Sequence, residues 1–550
     1  MSTFPEVSIH LLQQSESAMT PRFFNNAGPS VPRDHYTIDP LQRIQIDEIE
    51  RLIAERRYFI LHAPRQTGKT TCLLALMSHL NQQGLYQALY ANIETAQTAR
   101  HDVERGINAV VEAIASAAIV YLEDTWLQTW LRTTRQQYGP ESLLRECLQA
   151  WSRAAQKPIV LFLDEVDALV GDTLISLLRQ IRGGYTQRPG AFPISIILCG
   201  VRDVRDYRIT SGAQEVITGG SAFNIKATSL RLGNLTETEV WALWQQHTTA
   251  TGQTFAADIF PELWADTCGQ PWLVNALGYQ LTRATRRLRD TSIPIMLEDY
   301  RTAREELIQA RTTHLDQLTD KLSEGRVHSV IAALLSGEQT AEALPLDDLS
   351  YVEDLGLIRR KPVLAISNRI YQETIPRDLT YSTQCMLPHL TAWYLTPERR
   401  LDMPGLLRAF QQFFREQSDA WIERFDYKEA GPQLLLQAFL QRIVNGGGRI
   451  TREYGLGRKR TDLYIEWPID TEAGYHGEVQ RIVLELKIRY DSLDKTLQTG
   501  LAQTADYAAH CAAEEAHLLI FDRRQQVTWD DRIWHKTMKQ GQRTITVWGL

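Results

Sequence analysis

Short apolar runs alternate with stretches of helical periodicity through the first part of this chain. Tyr58-Phe59-Ile60-Leu61-His62, Gln87 to Glu94, Ile159 to Leu163 and Ile194 to Gly200 read as strands. The run Ile159-Val160-Leu161-Phe162-Leu163 is apolar at every position, which fits a strand buried on both faces. Between the runs, the spacing predicts helices at 47–56, onward from Thr70, near 102–123 and near 174–182. Such alternation predicts an α/β fold with a parallel sheet and helices on both faces. Residues 1–35, with Pro5, Pro21, Pro29 and Pro32, read as an irregular extension that packs on the core.

From about 226 the pattern turns helical. Thr236-Glu237-Thr238-Glu239 is a capping box, and Gly269-Gln270-Pro271 leads into another helix. Residues 297–335 read as a long amphipathic helix. A helix over 349–358 closed by Gly356 and a strand over 363–368 follow. A further domain starts near 396–410. Its helix at Pro432–Val444 is stopped by Asn445-Gly446-Gly447-Gly448, and strands at 461–465 and 481–487 flank a linker at 467–479.

Chemistry enters at the end of the first strand, where the chain reads Ala63-Pro64-Arg65-Gln66-Thr67-Gly68-Lys69-Thr70-Thr71. A buried strand turning through Gly-Lys-Thr into a helix points backbone N–H groups and a helix dipole at a polyphosphate. Lys69 would reach the β- and γ-phosphates and the Thr70 hydroxyl would sit on Mg²⁺. The strict pattern has Gly where this chain has Ala63. At the end of the 159–163 strand, Asp164 would hold the Mg²⁺ through water, and Glu165 would orient and deprotonate the water attacking the γ-phosphate. Together the two motifs predict ATP or GTP binding. Arg202 and Arg205 follow the 194–200 strand, where phosphate sensors and arginine fingers are found, although a charged loop there is also an ordinary solvated exit.

This half resembles the AAA-like and STAND-like P-loop ATPases. The resemblance rests on the two motifs, the order of the elements and the Gly-x-Pro at 269–271. It implies a P-loop core over 36–225, a helical lid over 226–335 that reads nucleotide state, and a winged-helix-like module over 336–395. Acidic Asp347, Asp348, Glu353 and Asp354 favour a spacer role for that module over DNA binding.

In the last domain, Glu485 and Lys487 are two apart on one strand and share a face. A carboxylate and an amine there, beside the acid Asp462, suit a divalent metal and an activated water. The ordered set is similar to the PD-(D/E)XK nuclease superfamily, which implies a small α/β nuclease-like domain over 396–550. By that resemblance Asp462 and Glu485 are metal ligands, helped by the Leu486 carbonyl. Lys487 is the catalytic lysine, and Gln503 and Tyr507 match the Gln-x-x-x-Tyr of the following helix. Arg458-Lys459-Arg460 would meet a phosphate backbone. The acid that many members carry on the first helix is absent from 432–444, and Glu429 or Glu453 would have to substitute.

Length and charge set outer bounds. A chain of 550 residues, 43% hydrophobic and 23% charged, suggests about three or four globular domains. A net charge of −7 excludes a uniformly basic nucleic-acid coat while allowing a local basic face. Six scattered cysteines form neither a disulfide framework nor a zinc pattern, which points to the cytoplasm. No run is expected to span a membrane. The expected cofactors are ATP and Mg²⁺, with a second Mg²⁺ or Mn²⁺ in the C-terminal domain and DNA as its partner. Homo-oligomers are open to such ATPases, though no residue demands one. Two functions follow: an ATPase that controls a metal-dependent DNA nuclease, or a signalling or scaffold ATPase whose last domain binds nucleic acid or a partner without cutting.

Overall fold

The computed structural model describes the chain except residues 1–20, 202–207, 211–215, 219–224, 311–320, 323, 337–343, 376–393, 423–434, 438, 442–447, 457–458, 471–472, 490–491, 523 and 525–526. Strands β1 (Tyr58–His62), β2 (Gln87–Asn92), β3 (Ile159–Asp164), β4 (Ser195–Gly200) and β7 (Lys226–Arg231) form a five-stranded sheet in the order β2-β3-β4-β1-β7. Every pairing in it is parallel. A small hairpin, β5 (Arg208–Thr210) and β6 (Val216–Thr218), lies between β4 and β7 in sequence.

The continuous apolar runs are explained by two cores. Tyr58, Ile60, Leu161 and Leu163 pack with helices α3 (Val103–Leu122), α4 (Trp126–Thr134), α5 (Leu143–Ala154) and α6 (Gly171–Gly184) on one face. Phe59, Leu61, Val160 and Phe162 pack with α1 (Ile46–Ala54) and α2 (Lys69–Gln83) on the other. Consecutive strand residues feed opposite cores, so no strand position can be polar without cost. Helix α3 corrects one expectation, being long and apolar enough by length and composition to cross a membrane. Its Ile107, Val110, Val111 and Ile114 are buried in the sheet core, which accounts for that composition.

The region expected to form a lid contains α7 (Glu237–Thr251), α8 (Ile259–Thr267), α9 (Pro271–Tyr279) and α10 (Leu297–Gln309). The Thr236–Glu239 capping box is formed as expected. The single helix expected over 297–335 is not continuous. Helix α10 ends at Gln309, and α11 runs from Gly325 to Ser336, with 311–320 outside the described residues. Phe24 and Tyr36 of the N-terminal segment pack into the lid beside Trp244.

Helix α12 (Leu346–Asp354) precedes two-residue strands β8 (Ile358–Arg359) and β9 (Ala365–Ile366), so the strand expected over 363–368 is shorter than read. In the C-terminal domain, helix α13 (Met403–Ile422) leads to a six-stranded sheet. Strands β10 (Arg449–Leu456), β11 (Lys459–Pro468), β12 (Val479–Arg489), β13 (Glu515–Asp522), β14 (Trp534–Gln540) and β15 (Arg543–Gly549) lie in the order β10-β11-β12-β13-β15-β14. The first three are antiparallel, and α14 (Leu493–His510) then crosses over to place β13 parallel to β12. Helix α14 covers the face bearing Tyr464, Val483 and Leu518.

Candidate functional site

The loop after β1 is shaped by its backbone. Gly68 has φ +87°, and a Cβ there would lie 2.7 Å from Arg43 Nη1. Gly is therefore favoured by conformation, and a side chain there would also displace the Arg43 guanidinium. Arg43 straps the loop: Nη1 donates to the Thr67 carbonyl at 2.8 Å and Nη2 to that of Gly233 at 3.0 Å. Sequence reading missed Arg43, which carries no motif of its own. The Thr67 hydroxyl donates to the Pro64 carbonyl at 2.8 Å, and Thr71 Oγ1 accepts from the Ser30 N–H at 3.0 Å. Ala63 is fully buried and its N–H donates to the Gly200 carbonyl at 3.1 Å, so this position continues the sheet, where a methyl group is accommodated. Arg65 and Gln66 are exposed on the outer turn.

Four side chains converge at the C-terminal ends of β1 and β3. Lys69 Nζ lies 3.2 Å from Asp164 Oδ1 and 3.4 Å from Glu165 Oε1. Thr70 Oγ1 donates to Asp164 Oδ2 at 3.2 Å, and the Tyr90 hydroxyl donates to the same oxygen at 3.0 Å. Asp164 is fully buried and also accepts the Glu165 N–H at 2.9 Å. Burial opposes a charge on Lys69, but Asp164, Glu165 and Asp167 outweigh it and hold the ammonium above its ordinary range. Burial lifts the Glu165 carboxyl above the usual carboxylate value, Lys69 pulls it down, and Asp167 and Asp164 add to the rise. Glu165 also holds φ +61°, a conformation that costs a non-Gly residue energy and that clusters at functional sites. The hydroxyl of Thr70 and the carboxylate of Asp164 make an all-oxygen donor pair that fits Mg²⁺.

Residues 42–207 match the family described as "AAA domain". This segment is an AAA-type P-loop ATPase domain. No curated protein matches the chain. Among solved structures, the Walker-type ATPase paby2304 of Pyrococcus abyssi aligns at 12% identity and TM-score 0.44, over 63% of this chain and 98% of that one. Cdc6p from Pyrobaculum aerophilum aligns at 16% identity and TM-score 0.35, over 68% and 99%. The RuvB Holliday junction branch migration motor of Thermotoga maritima aligns at 12% and 0.31, over 60% and 94%.

Beside the ATPase loop lies a cleft of about 840 Å³, walled by Pro64, Arg65, Glu165, Arg231, Tyr351 and Arg359. The 344–375 module closes it. The Arg231 guanidinium donates to the Glu353 carbonyl at 2.8 Å and lies 3.6 Å from Asp354, whose other oxygen is 3.6 Å from His62 Nδ1. Gly356, at φ +80°, packs so closely that a Cβ would lie 2.9 Å from Pro64. The helical region after β7 reaches the loop through Gln270 Nε2, which donates to the Gln66 carbonyl at 3.5 Å. Arg202 and Arg205 lie outside the described residues.

In the C-terminal domain, Lys487 Nζ donates to Glu485 Oε1 at 2.5 Å, and Glu485 is only 2% exposed. Leu463 pairs with Leu484, so position 462 and Glu485 flank that pair on neighbouring strands. Gln503 and Tyr507 stand on α14, with Tyr507 buried in its core. The side chains of Glu453, Lys459, Arg460 and Asp462 lie outside the described residues, as do Glu429 and Arg458 altogether. Among the described residues, no group of three or more His, Cys, Asp or Glu gathers to hold a metal.

Proposed function

We propose that this chain hydrolyses ATP and that its nucleotide cycle controls a C-terminal metal-dependent nuclease acting on DNA. The observation that carries the ATPase half is the convergence of Lys69, Thr70, Asp164 and Glu165. The loop N–H groups and the start of α2 receive the phosphates. Lys69 exchanges its contacts with Asp164 and Glu165 for phosphate oxygens, which frees Glu165 to accept a proton from the attacking water. Thr70 and Asp164 would hold Mg²⁺, which when bound neutralises charge on the β- and γ-phosphates. Tyr90, donating to Asp164, fixes which oxygen of that carboxylate faces Thr70.

The nuclease half is supported by strand order and placement. Three antiparallel strands, a crossover helix and a parallel fourth strand carry Glu485 and Lys487 on the α14 face, with position 462 on the neighbouring strand. Among the described side chains this face supplies one carboxylate, Glu485, with Lys487 beside it. A specific observation favours the second reading, a non-cutting domain that binds DNA or a partner: Glu485 is buried and tied to Lys487. The protein acts in the cytoplasm on this reading, in keeping with the free state of Cys72, Cys147, Cys199, Cys268 and Cys511.

The experiment is plasmid digestion with Mg²⁺ or Mn²⁺, with and without ATP, comparing wild type with Asp462→Ala and Lys487→Ala. Cutting by wild type alone is expected. With phosphate release from ATP intact, absence of cutting under every condition removes the nuclease half. Lys69→Ala is expected to lose nucleotide binding, and retained turnover in it would remove the ATPase half.

A further inference from the structure

The apolar cores divide the molecule unexpectedly. The ATPase sheet keeps its two cores to itself. A third apolar cluster runs without a break from Phe24 through the lid, the 344–375 module and α13 into the C-terminal sheet, ending at Leu550. Regions far apart in sequence therefore share one interior.

At the centre of that junction sits a buried cluster of charges. Arg304 of α10 is 2% exposed; its Nε lies 3.0 Å from Asp266 of α8 and an Nη lies 2.8 Å from Glu373, on the module's helical turn at 369–375. The Tyr300 hydroxyl donates to Asp266 at 3.0 Å, and Arg369 lies 3.8 Å from the other oxygen. Next to it, Arg449 of β10 donates through Nε to Glu466 of β11 at 2.6 Å, and both are buried. Arg449 and the Tyr475 phenol lie within electrostatic reach of Glu373, so the two pairs are neighbours in one interior. His476 of the C-terminal domain lies 3.7 Å from Asp299 of α10. Charges buried this deeply tolerate little relative movement, because separating one pair leaves an uncompensated charge out of water.

By contrast, among the described residues the polar contacts between the ATPase sheet and this body gather at the nucleotide loop and at the ends of β1 and β7: Arg43 to Gly233, Gln270 to Gln66, Ser30 to Thr71, Arg231 to Glu353 and Asp354, and His62 to Asp354, with Gly356 packed on Pro64. We infer that the lid, the module and the C-terminal domain form one rigid lever, locked by the Arg304–Asp266–Glu373 cluster, which pivots as a unit on the ATPase sheet. This rests on the proposed nucleotide cycle for its trigger and not on any nuclease chemistry.

Pairs of spin labels, introduced as a genetically encoded amino acid in the full chain, test it by pulsed distance measurement. Trp241 in the lid, Gln128 on α4 and Gln498 on α14 are exposed. From nucleotide-free protein to ADP to ATP in a Glu165→Gln background, the Trp241–Gln498 distance is expected to stay constant. The Gln128–Gln498 distance is expected to change by more than about 2 Å, the scale of a domain rearrangement. Arg304→Met is expected to broaden the Trp241–Gln498 distribution, whereas the exposed Arg286→Met leaves it sharp. A nucleotide-dependent Trp241–Gln498 distance overturns the lever. So does an unchanged Gln128–Gln498 distance in protein shown by titration to bind ATP. The wild-type distances decide the matter even if Arg304→Met fails to fold. Failure of the nuclease assay with the expected distances leaves the lever intact and removes only the cutting.

Discussion

Replacing Glu165 by Gln keeps the shape of the side chain and removes its charge. Lys69 remains held by Asp164 at 3.2 Å, so the loop is expected to keep its form and nucleotide affinity to stay within about threefold, under 1 kcal/mol. Turnover is different, because an amide cannot take a proton from water at neutral pH. Loss of general-base catalysis is worth about 10²–10⁴-fold, or about 2.7–5.4 kcal/mol at 1.36 kcal/mol per decade. The raised carboxyl of Glu165 adds a signature. A base works only when ionised, so the acid limb of kcat/KM, which reports the free enzyme, lies above the pH of an ordinary glutamate. Activity falls as pH drops through it, and the limb disappears in Glu165→Gln. The linkage to stability has the opposite sense. A carboxyl whose pKa is raised on folding favours the fold at low pH, and that contribution is lost as pH rises through the folded-state pKa. Phosphate release, equilibrium binding of a fluorescent ATP analogue and a pH series together form the assay. Turnover within threefold of wild type would refute the assignment and direct attention to Asp167, which accepts the Val201 N–H at 3.0 Å beside the same cleft.

Three further outcomes follow from single contacts. Arg43→Ala removes two donors to the Thr67 and Gly233 carbonyls; a loss of about 1.5–3 kcal/mol is expected to raise the Kd for ATP at least tenfold, and Arg43→Lys, lacking the fork, is not expected to restore it. Titration with the same fluorescent analogue checks this. Gly269→Ala places a Cβ 1.9 Å from the Leu235 carbonyl oxygen at φ +71°, so the unfolding midpoint is expected to fall by the equivalent of at least about 1–2 kcal/mol; an unchanged midpoint contradicts it. Arg304→Met leaves Asp266 and Glu373 buried without their main cation. A loss of about 3–5 kcal/mol is expected in denaturant unfolding, and adding Glu373→Met is expected to recover part of it, since apolar replacement of a buried pair is often neutral.

Four of the five strands of the parallel sheet were legible because β1 to β4 are buried on both faces along most of their length, which leaves an apolar run in the sequence, whereas the edge strand β7, with Ala227 and Arg231 exposed, leaves no such run and falls where the pattern reads as turning helical. The convergence of the candidate nucleotide-site residues was legible for a similar reason: Lys69 and Thr70 are adjacent after one strand, Asp164 and Glu165 at the end of another, and each pair has a fixed place at a strand end. Contacts between distant residues left no such trace. Arg43 looks like any surface arginine until Thr67 and Gly233 are brought to it. Arg304, within Thr302-Ala303-Arg304-Glu305-Glu306, reads as the polar face of an amphipathic helix, yet it is buried because helices from the lid and the module close over it. The same misreading produced one long helix over 297–335, where amphipathic periodicity continues past the point at which α10 stops.

What local reading could not supply is the direction in which the ATPase acts. A ligand shifts a conformational balance only by contacts that differ between the two states. In the proposed cycle Lys69, Thr70 and Glu165 exchange partners when a phosphate arrives, and Pro64, Gln66 and Thr67 stand in the same loop. Pro64 bears on Gly356 of the module, Gln66 accepts from Gln270 of the lid, and Thr67 is held by the arginine that also grips Gly233. A shift of the loop therefore works against lid and module at once. Because those two share an interior with the C-terminal sheet, it also works against the strand that carries Glu485 and Lys487. The short path is mechanical: loop, lid, sheet. A substitution that softens the lid–sheet junction should then leave ATP turnover in place while silencing its effect on whatever the last domain does, and a variant losing both together would argue that the nucleotide site and the C-terminal domain depend on a common folding unit.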